Sequence, residues 1–264
     1  MRDPQLIALP YHNGLPDVGM GAGVRALLTE LGRPADVVPA VDPGLPEVRR
    51  TLELDRRLAE RVRAAVAAGA FPVVLAGNCN SCLGTVGGVG ADGLGVVWFD
   101  AHADFDTPED NVSGFFDVMA LSTLTGSAWQ AQRATVTAPV DEADVVLAAV
   151  RDLEPYQRAR MEGSRLHVVP GDLDGLAAAL DALRTPRVYL HLDLDALDAG
   201  AARANGFAAA GGPTLARYLE AVDAVFHRFE VAAAALTSYD PAADADGRAR
   251  AAALALLERV CARA

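Results

Sequence analysis

The chain has 264 residues, of which 52% are hydrophobic, and a formal net charge of −12. This charge argues against nucleic acid or an anionic membrane as the main partner and is compatible with a cationic small-molecule substrate. No run of about 18 apolar residues and no N-terminal signal stretch occurs, so we expect no membrane span and a cytoplasmic location. All 23 basic residues are arginine, which excludes Schiff-base and P-loop lysine chemistry.

Apolar runs typical of buried strands alternate with alanine-rich stretches typical of helices. Strands are predicted at residues 6–9, 73–76, 96–99, 145–149, 166–169, 188–192 and 233–237. Helices are predicted at residues 48–68, 173–183, 214–228 and 247–262. Continuous apolar strands between helices are typical of a parallel sheet covered on both faces, so we expect an α/β fold. The alternation continues to the end of the chain, which favours a single domain over residues 1–264.

Two acidic strings follow predicted strands: Asp-Ala-His-Ala-Asp at residues 100–104 and His-Leu-Asp-Leu-Asp at residues 191–195. Residues two apart in an extended chain point the same way, so the polar side chains of each string share a face. In open α/β sheets, sites lie outside the carboxyl ends of the strands. The side chains expected to converge there are Asp100, His102, Asp104, Asp193 and Asp195.

Carboxylates are costly to bury without positive charge, so this convergence indicates divalent metal, with room for two ions that share a water. Oxygen ligands with one imidazole suit manganese or a similar ion. The alternative is that the acids cap helices or pair with arginines.

A segment at residues 76–80, Ala-Gly-Asn-Cys-Asn, stands in the place of a Gly-Gly-Asp-His-Ser-like motif. Together with Asp-Ala-His-x-Asp at 100–104 and Asp-x-Asp-x-x-Asp at 193–198, it gives the chain its family resemblance. The chain resembles the ureohydrolase (arginase/agmatinase) superfamily. It looks like a divergent member with cysteine in place of one metal-ligand histidine, as in Nω-hydroxy-L-arginine amidinohydrolase.

The resemblance implies an arginase-like three-layer α/β/α sandwich with an eight-stranded parallel sheet. It also implies a binuclear manganese site and a homo-oligomer, often a trimer or hexamer. The implied reaction is attack of a metal-bridging hydroxide on a guanidinium carbon, which releases urea, or a substituted urea, and an amine.

Carried over by position, one metal takes Cys79, Asp100, Asp104 and Asp193, and the other takes Asp100, His102, Asp193 and Asp195. Asp195 also orients the nucleophile. Asp106, Asn111 and Ser113 fall where arginases hold the amino-acid end of the substrate. Glu154 falls where an aspartate reads the α-amino group.

The chain departs from the arginase pattern in ways that affect both metal and substrate. A thiolate at Cys79 would shift its metal toward zinc or iron, although Cys79 could also be an ordinary buried thiol. Asp117 replaces a proton-shuttling histidine; it could relay protons, bind a cationic group or cap a helix. Ser238 replaces the glutamate that grips the guanidinium, and Asp106 would repel a substrate α-carboxylate. Arginine itself is therefore in doubt as the substrate.

Two histidines outside the strings have open roles. His12 could line the pocket, although a surface or packing role is the commoner one for such a residue. His191 faces the same side as Asp193 and could orient a metal ligand.

The sequence thus predicts a metal-dependent hydrolase of a linear C–N bond in a guanidino or N-hydroxyguanidino compound. The first alternative is a hydroxyarginine amidinohydrolase of a specialised biosynthetic pathway. The second is a non-catalytic homologue that acts as a binding or assembly subunit.

Overall fold

A computed structural model describes residues 2–264 of the chain. Its strands are β1 (Pro4–Leu9), β2 (Tyr11–His12), β3 (Leu15–Pro16), β4 (Asp36–Val37), β5 (Phe71–Ala76), β6 (Leu94–Phe99), β7 (Val145–Val150), β8 (His167–Pro170), β9 (Arg187–Asp193) and β10 (Glu230–Thr237). Its α-helices are α1 (Gly19–Leu31), α2 (Glu47–Ala67), α3 (Cys82–Val89), α4 (Ala120–Thr125), α5 (Gln130–Arg133), α6 (Pro155–Glu162), α7 (Leu176–Ala182), α8 (Leu215–Arg228) and α9 (Arg248–Arg263). Short 3₁₀ helices occur at Cys79–Ser81, Asp117–Met119, Glu142–Asp144 and Leu194–Ala196.

Eight strands form one sheet in the order β4-β1-β5-β10-β9-β6-β7-β8. Every neighbouring pair in this sheet is parallel. The two remaining strands, β2 and β3, form a small antiparallel hairpin directly after β1. The predicted eight-stranded parallel sheet is therefore confirmed.

The sheet separates two hydrophobic cores because successive side chains of a strand point to opposite faces. In β1, Leu6 and Ala8 belong to one core, whereas Ile7 and Leu9 belong to the other. Helices α1, α7, α8 and α9 supply apolar residues to the first core, and α2, α3 and α4 supply them to the second. The predicted α/β/α sandwich is confirmed. No helix in the part of the chain that the structure describes is long and apolar enough to cross a membrane.

The seven strands predicted from the sequence correspond to β1 and β5 to β10, and the four predicted helices to α2, α7, α8 and α9. Strand β4 has only two residues and pairs at the edge of the sheet, so it produces no apolar run. Helix α3 was not predicted from the sequence; three of its eight residues are glycine, which is a poor helix former.

The glycines of α3 have a packing reason. A Cβ atom at Gly84 would lie 2.6 Å from the carbonyl oxygen of Asp55, and one at Gly88 would lie 2.4 Å from the Cβ atom of Val62. Both of these contacts are with α2. The two helices therefore lie too close together for side chains at these positions, and α3 begins directly after the 3₁₀ turn that carries Cys79.

Replacing Gly84 by alanine should destabilise the protein, because the new methyl group would clash with the backbone of α2. We expect a loss of roughly 1–3 kcal/mol in the free energy of unfolding, which exceeds the gain of about 1 kcal/mol in helix propensity. Urea unfolding monitored by circular dichroism measures this change.

Gly163→Ala is the matched control, because the nearest atom to a Cβ there lies 3.5 Å away. Its free energy of unfolding should change by no more than about 0.5 kcal/mol. Equal stability of the two variants would contradict the close packing of α2 and α3.

Candidate metal centre

The four central strands of the sheet end at the same level. Leu236 of β10 pairs with Leu75 of β5 and with Leu192 of β9, and Leu192 also pairs with Phe99 of β6. The segments that follow these strands therefore meet at one edge of the sheet. The chemically active side chains at or just after the four strand ends are Cys79, Asp100, Asp193 and Ser238.

A cavity of about 460 Å³ opens at this edge. Its floor is acidic, and its outer wall contains aromatic and apolar side chains. The lining residues are His12, Asn13, Met20, Cys79, Asp100, His102, Asp104, Ser113, Phe115, Asp117, Val118, Asp193, Asp195, Asn205, Phe207 and Ser238. The structure thus brings together all six residues that the sequence analysis predicts as metal ligands.

Asp193 is held by hydrogen bonds on both carboxylate oxygens. Its Oδ1 accepts from the backbone N–H of Asp195 at 2.8 Å. Its Oδ2 accepts from the Cys79 thiol at 2.8 Å, from the Thr237 hydroxyl at 3.2 Å and from the Ser238 hydroxyl. Because Asp193 is the last residue of β9, both the strand and these donors fix its orientation.

Asp100 is fixed by its neighbours in the first acidic string. The indole Nε1 of Trp98 donates to Asp100 Oδ2 at 3.0 Å, and the backbone N–H of His102 donates to Oδ1 at 2.7 Å. Trp98 is fully buried and stacks on His191 with ring centroids 3.6 Å apart. Each oxygen of the Asp100 carboxylate therefore has a donor that fixes its orientation toward the cavity.

Asp195 is oriented from two other segments. Asn205 Nδ2 donates to its Oδ2 at 3.1 Å, and the backbone N–H of Ala101 donates to Oδ1 at 3.3 Å. Nδ1 of His102 lies 3.5 Å from Asp195 Oδ2. These contacts join the two acidic strings into one site.

Two residues of the site have backbone conformations that non-glycine residues seldom adopt. The φ angle is +48° at Asp104 and +67° at Ser238. The carbonyl oxygen of Asp104 accepts from the backbone N–H groups of Leu121 and Ser122 in α4, which holds this bend in place. Such strain costs about 1–3 kcal/mol per residue and is typical of functional sites.

The acidic groups repel one another in this buried setting. Burial, followed by neighbouring carboxylates, raises the pKa values of Asp100, Asp104 and Asp193. Burial also raises the pKa of the Cys79 thiol, and the charge of Asp193 adds to this effect. Burial acts in the same direction on Asp195, but the charge of His102 and hydrogen bonds, led by that from Asn205, lower its pKa. Without a cation, the site holds more negative charge than His102 alone can offset.

Two overlapping groups of side chains have ligand atoms close enough to hold a cation. Cys79, Asp100 and Asp104 form one group, and Asp100, His102 and Asp195 form the other; within each, the ligand atoms lie within 4.8 Å of one another. Asp193 joins Cys79 and His191 in a third such group. This donor set fits divalent metal, since it combines several hard carboxylate oxygens with two imidazoles and one thiol, and no arginine occurs in the described lining of the cavity.

Comparison with known proteins shows which family the chain belongs to. A family model described as the arginase family matches residues 21–262. The chain belongs to the arginase family. An arginase from Bacillus caldovelox is 29% identical over 229 residues, which cover 82% of this chain and 77% of that protein.

Solved structures of similar proteins share the fold. The arginase from Bacillus subtilis has a TM-score of 0.85 at 24% identity, covering 98% of both chains. A putative agmatinase from Clostridium difficile has a TM-score of 0.79 at 15% identity, covering 99% of this chain and 96% of that one. The arginase fold therefore extends over nearly the whole chain.

The residues predicted to bind substrate are placed unevenly in this arginase-family chain. Ser113 and Ser238 line the cavity, whereas Asp106, Asn111 and Glu154 are not part of its lining. Asp106 is buried, and its two oxygens accept from the Tyr156 hydroxyl at 3.0 Å and from the Gln157 amide at 2.9 Å.

Asn111 and Glu154 have other surroundings. The side chain of Asn111 bonds to Ser113, Gly114 and Phe115 of its own loop. Glu154 lines an adjoining recess that the cavity meets at His102 and Phe207. Asn111 thus bonds within its own loop, and Asp106 bonds to helix α6, beside the cavity and not in its lining.

Asp117 lines the cavity and also organises the segment that carries Cys79. It accepts a hydrogen bond from Asn78 Nδ2 at 2.6 Å and another from the backbone N–H of Asn80 at 2.8 Å. Burial raises its pKa to about 6. The Asp117 carboxylate therefore connects the loop after β6 to the loop after β5.

Sequence analysis missed several residues that shape the site. Trp98 and Asn205 hold the metal-ligand candidates Asp100 and Asp195, and Phe115 and Phe207 line the mouth. Asn205 is an amide within the alanine- and glycine-rich stretch 199–212, and this contrast is the signal that could have identified it.

The two histidines with open roles are also resolved in position. His12 lines the cavity and stacks on Phe115. His191 is fully buried behind Asp193, with its Nδ1 atom 2.8 Å from the Tyr189 hydroxyl.

Trp98→Phe should weaken divalent-metal binding, because it removes the donor to Asp100 Oδ2 while keeping an aromatic ring beside His191. Loss of such a supporting hydrogen bond costs about 10–100-fold in metal affinity. Titration with Mn²⁺ followed by calorimetry measures the dissociation constant.

Trp129→Phe is the matched control, since the indole N–H of Trp129 donates to the sulfur of Met119, at 3.4 Å, and to no metal-ligand candidate. Its Mn²⁺ affinity should equal that of the unaltered protein. Unchanged affinity in Trp98→Phe would show that Asp100 is not a ligand or does not need this donor.

Proposed function

We propose that this protein is a metal-dependent hydrolase that cleaves a linear C–N bond of a guanidino compound, releasing urea or a substituted urea and an amine. Membership of the arginase family supports a ureohydrolase. The observation that carries the proposal is the pair of ligand groups that share Asp100 on the floor of an open cavity.

Two divalent ions would be held by these side chains, one by Cys79, Asp100, Asp104 and Asp193 and the other by Asp100, His102, Asp193 and Asp195. We propose Mn²⁺, because most of the donors are hard carboxylate oxygens; the Cys79 thiolate also accommodates zinc or iron. Bound ions would lower the pKa of water toward neutrality and so supply a nucleophile at the floor of the cavity.

We propose that Asp195 accepts the proton of the attacking water. Asn205 holds the Asp195 carboxylate toward the cavity, and a bound divalent ion would help to keep it ionised. Asp195 Oδ2 accepts the proton as the water oxygen bonds to the guanidino carbon. The bond from this carbon to the tail nitrogen then breaks, and the tail nitrogen takes the proton and leaves as an amine.

The cavity attracts a guanidinium group through its charge. Five aspartates line it, and the described part of its lining contains no arginine. The Ser238 hydroxyl donates to Asp193 and is therefore a support for a metal ligand rather than a free partner for the substrate. Asp117 is the remaining carboxylate that faces a bound guanidinium from the wall.

An N-hydroxyguanidine is a second candidate substrate, and Cys79 favours it. The thiol donates to Asp193 at 2.8 Å and lies in the same ligand group as Asp100 and Asp104, which is the position expected of a metal ligand. The related hydroxyarginine-hydrolysing type that the sequence resembles has a cysteine at this place.

Asp193→Ala should abolish metal binding and hydrolysis together, because Asp193 is proposed to contact both ions. We expect the protein loaded with Mn²⁺ to hold about two ions per chain and to release urea from at least one member of a panel of guanidines. In the variant, the metal content should fall below one ion and activity by at least about 100-fold. Elemental analysis and a urea assay provide the two readouts.

Asp92→Ala controls for the loss of a carboxylate, since Asp92 is exposed just before β6, at the opposite end of that strand from the cavity. It should match the unaltered protein in both assays. A protein that stays metal-free in excess Mn²⁺ and hydrolyses no guanidine would support the non-catalytic alternative, and turnover by Asp193→Ala would overturn the site assignment.

Cys79→His should preserve or tighten Mn²⁺ binding if Cys79 is a ligand, because imidazole suits Mn²⁺ better than a soft thiolate does. The same variant should lower the preference for zinc over manganese in competition experiments. Cys82→Ala is the control, because the Cys82 thiol donates its hydrogen bond to the carbonyl oxygen of Ala120 and lies outside the cavity lining. Identical metal preference in Cys79→His and the unaltered protein would show that residue 79 is not a ligand.

A further inference from the structure

The outer part of the cavity differs in chemistry from its acidic floor. We infer that this mouth selects a guanidino compound whose tail is an uncharged apolar group bearing an aryl ring, rather than an amino acid. This inference rests on the proposed hydrolysis of a guanidine and adds to it the class of the substrate tail. Three observations carry it: the absence of arginine from the described cavity lining, the pairing of Ser113 with Asn111 and a row of aromatic rings.

No arginine occurs in the described lining of the cavity, and burial lowers the pKa of His12, the one histidine of that lining outside the metal-ligand candidates. Two arginines donate to the backbone of lining residues, and carbonyl groups surround both of them. Arg151 donates to the carbonyl oxygens of Ala149, Asp195, Leu197, Ala209 and Ala210. Arg50 donates to those of Asn13, Pro43 and Leu45. An α-carboxylate in the cavity would therefore face aspartates without a compensating ion pair.

Two polar side chains of the loop that carries Phe115, Ser113 and Asn111, bond to each other and to the backbone of this loop. The Ser113 hydroxyl donates to Asn111 Oδ1 at 2.9 Å and accepts from the backbone N–H of Phe115 at 3.1 Å. Asn111 Nδ2 donates to the carbonyl oxygen of Phe115 at 3.0 Å. A substrate with a zwitterionic end would have to break these bonds before it could bond to Ser113 or Asn111.

Aromatic rings from three separate segments form a row across the mouth. His12 stacks on Phe115 with ring centroids 5.9 Å apart and an interplanar angle of 24°. Phe115 stacks on Phe207 at 6.2 Å and 25°. Phe207 is 57% exposed, so much of its ring meets solvent beside the cavity. An aryl group laid against these rings would bury apolar surface on both sides of the contact and gain the stacking preference of aromatic pairs.

A cationic tail would use a different surface. The adjoining recess, which shares His102 and Phe207 with the cavity, contains Asp152 and Glu154. The side chain of Asp152 is 61% exposed and lies 3.6 Å from the Nε2 atom of His102. Solvent screens such an exposed carboxylate, and His102 already interacts with it. A cationic tail would therefore gain less from Asp152 than an aryl tail gains from the aromatic row.

A substrate panel tests the inference directly. We would compare kcat/KM of the Mn²⁺-loaded protein for 2-phenylethylguanidine, methylguanidine, agmatine and L-arginine. The aryl compound should exceed L-arginine and agmatine by at least about tenfold, the scale on which an apolar pocket discriminates between substrates. Phe207→Ala should lower kcat/KM for 2-phenylethylguanidine roughly tenfold more than for methylguanidine, which does not reach the mouth.

Val112→Ala is the matched control, since Val112 belongs to the loop of Phe115 and is 86% exposed, but does not line the cavity. It should leave the ranking of the panel unchanged. Calorimetric titration with 2-phenylethylguanidine adds a readout that does not require turnover, and Phe207→Ala should weaken this binding roughly tenfold.

The outcomes separate the two proposals. Preferred hydrolysis of L-arginine or agmatine, with a ranking unaffected by Phe207→Ala, would overturn the aryl-tail inference and leave the guanidine hydrolase standing. Binding of 2-phenylethylguanidine that depends on Phe207, without hydrolysis of any guanidine, would overturn the hydrolase and support the aryl site. Absence of both binding and hydrolysis would overturn both.

Discussion

Mutual repulsion among four buried carboxylates is the constraint on which this site depends. Asp100, Asp104, Asp193 and Asp195 lie within one acidic floor, and burial alone opposes ionisation of each of them. Hydrogen-bond donors fix the orientation of these carboxylates; the indole N–H of Trp98, for example, donates to Asp100. The free-energy cost of bringing these carboxylates together would be offset in a binding site for doubly charged cations, because a bound cation attracts each of the carboxylates.

The departures from the arginase pattern acquire physical meaning in the structure. Ser238 stands where the resemblance places a glutamate, and its hydroxyl donates to Asp193, so this position supports a metal-ligand candidate. Asp117 accepts hydrogen bonds from Asn78 and from the backbone of Asn80, and so braces the turn that presents Cys79. Both replacements lie on the border between the metal-ligand candidates and the space for substrate, where a change affects the two together.

Much of the fold and of the acidic floor could be predicted from the sequence. Strands such as β6 and β9 are continuous apolar runs, and the acidic strings follow them directly, so periodicity places Asp100 and Asp193 at one edge of the sheet. Helix α3 could not be predicted in this way, because its glycines allow close contact with α2, and this contact depends on tertiary packing. The positions of Asn205 and Phe207 could not be predicted, because they lie in an irregular segment. Such a segment has no helical or strand periodicity from which the direction of a side chain could be inferred.

The three mouth rings come from three separate segments: β2, the loop after β6 and the segment between β9 and α8. None of these rings belongs to a residue in the groups that could hold metal. The mouth and the floor are therefore separable in evolution: exchange of a few exposed loop residues can change which molecules enter while the costly, strained acidic floor is inherited intact. A family built on this plan can diversify its substrates without redesigning its chemistry, and the same separation makes the mouth the natural place to begin engineering.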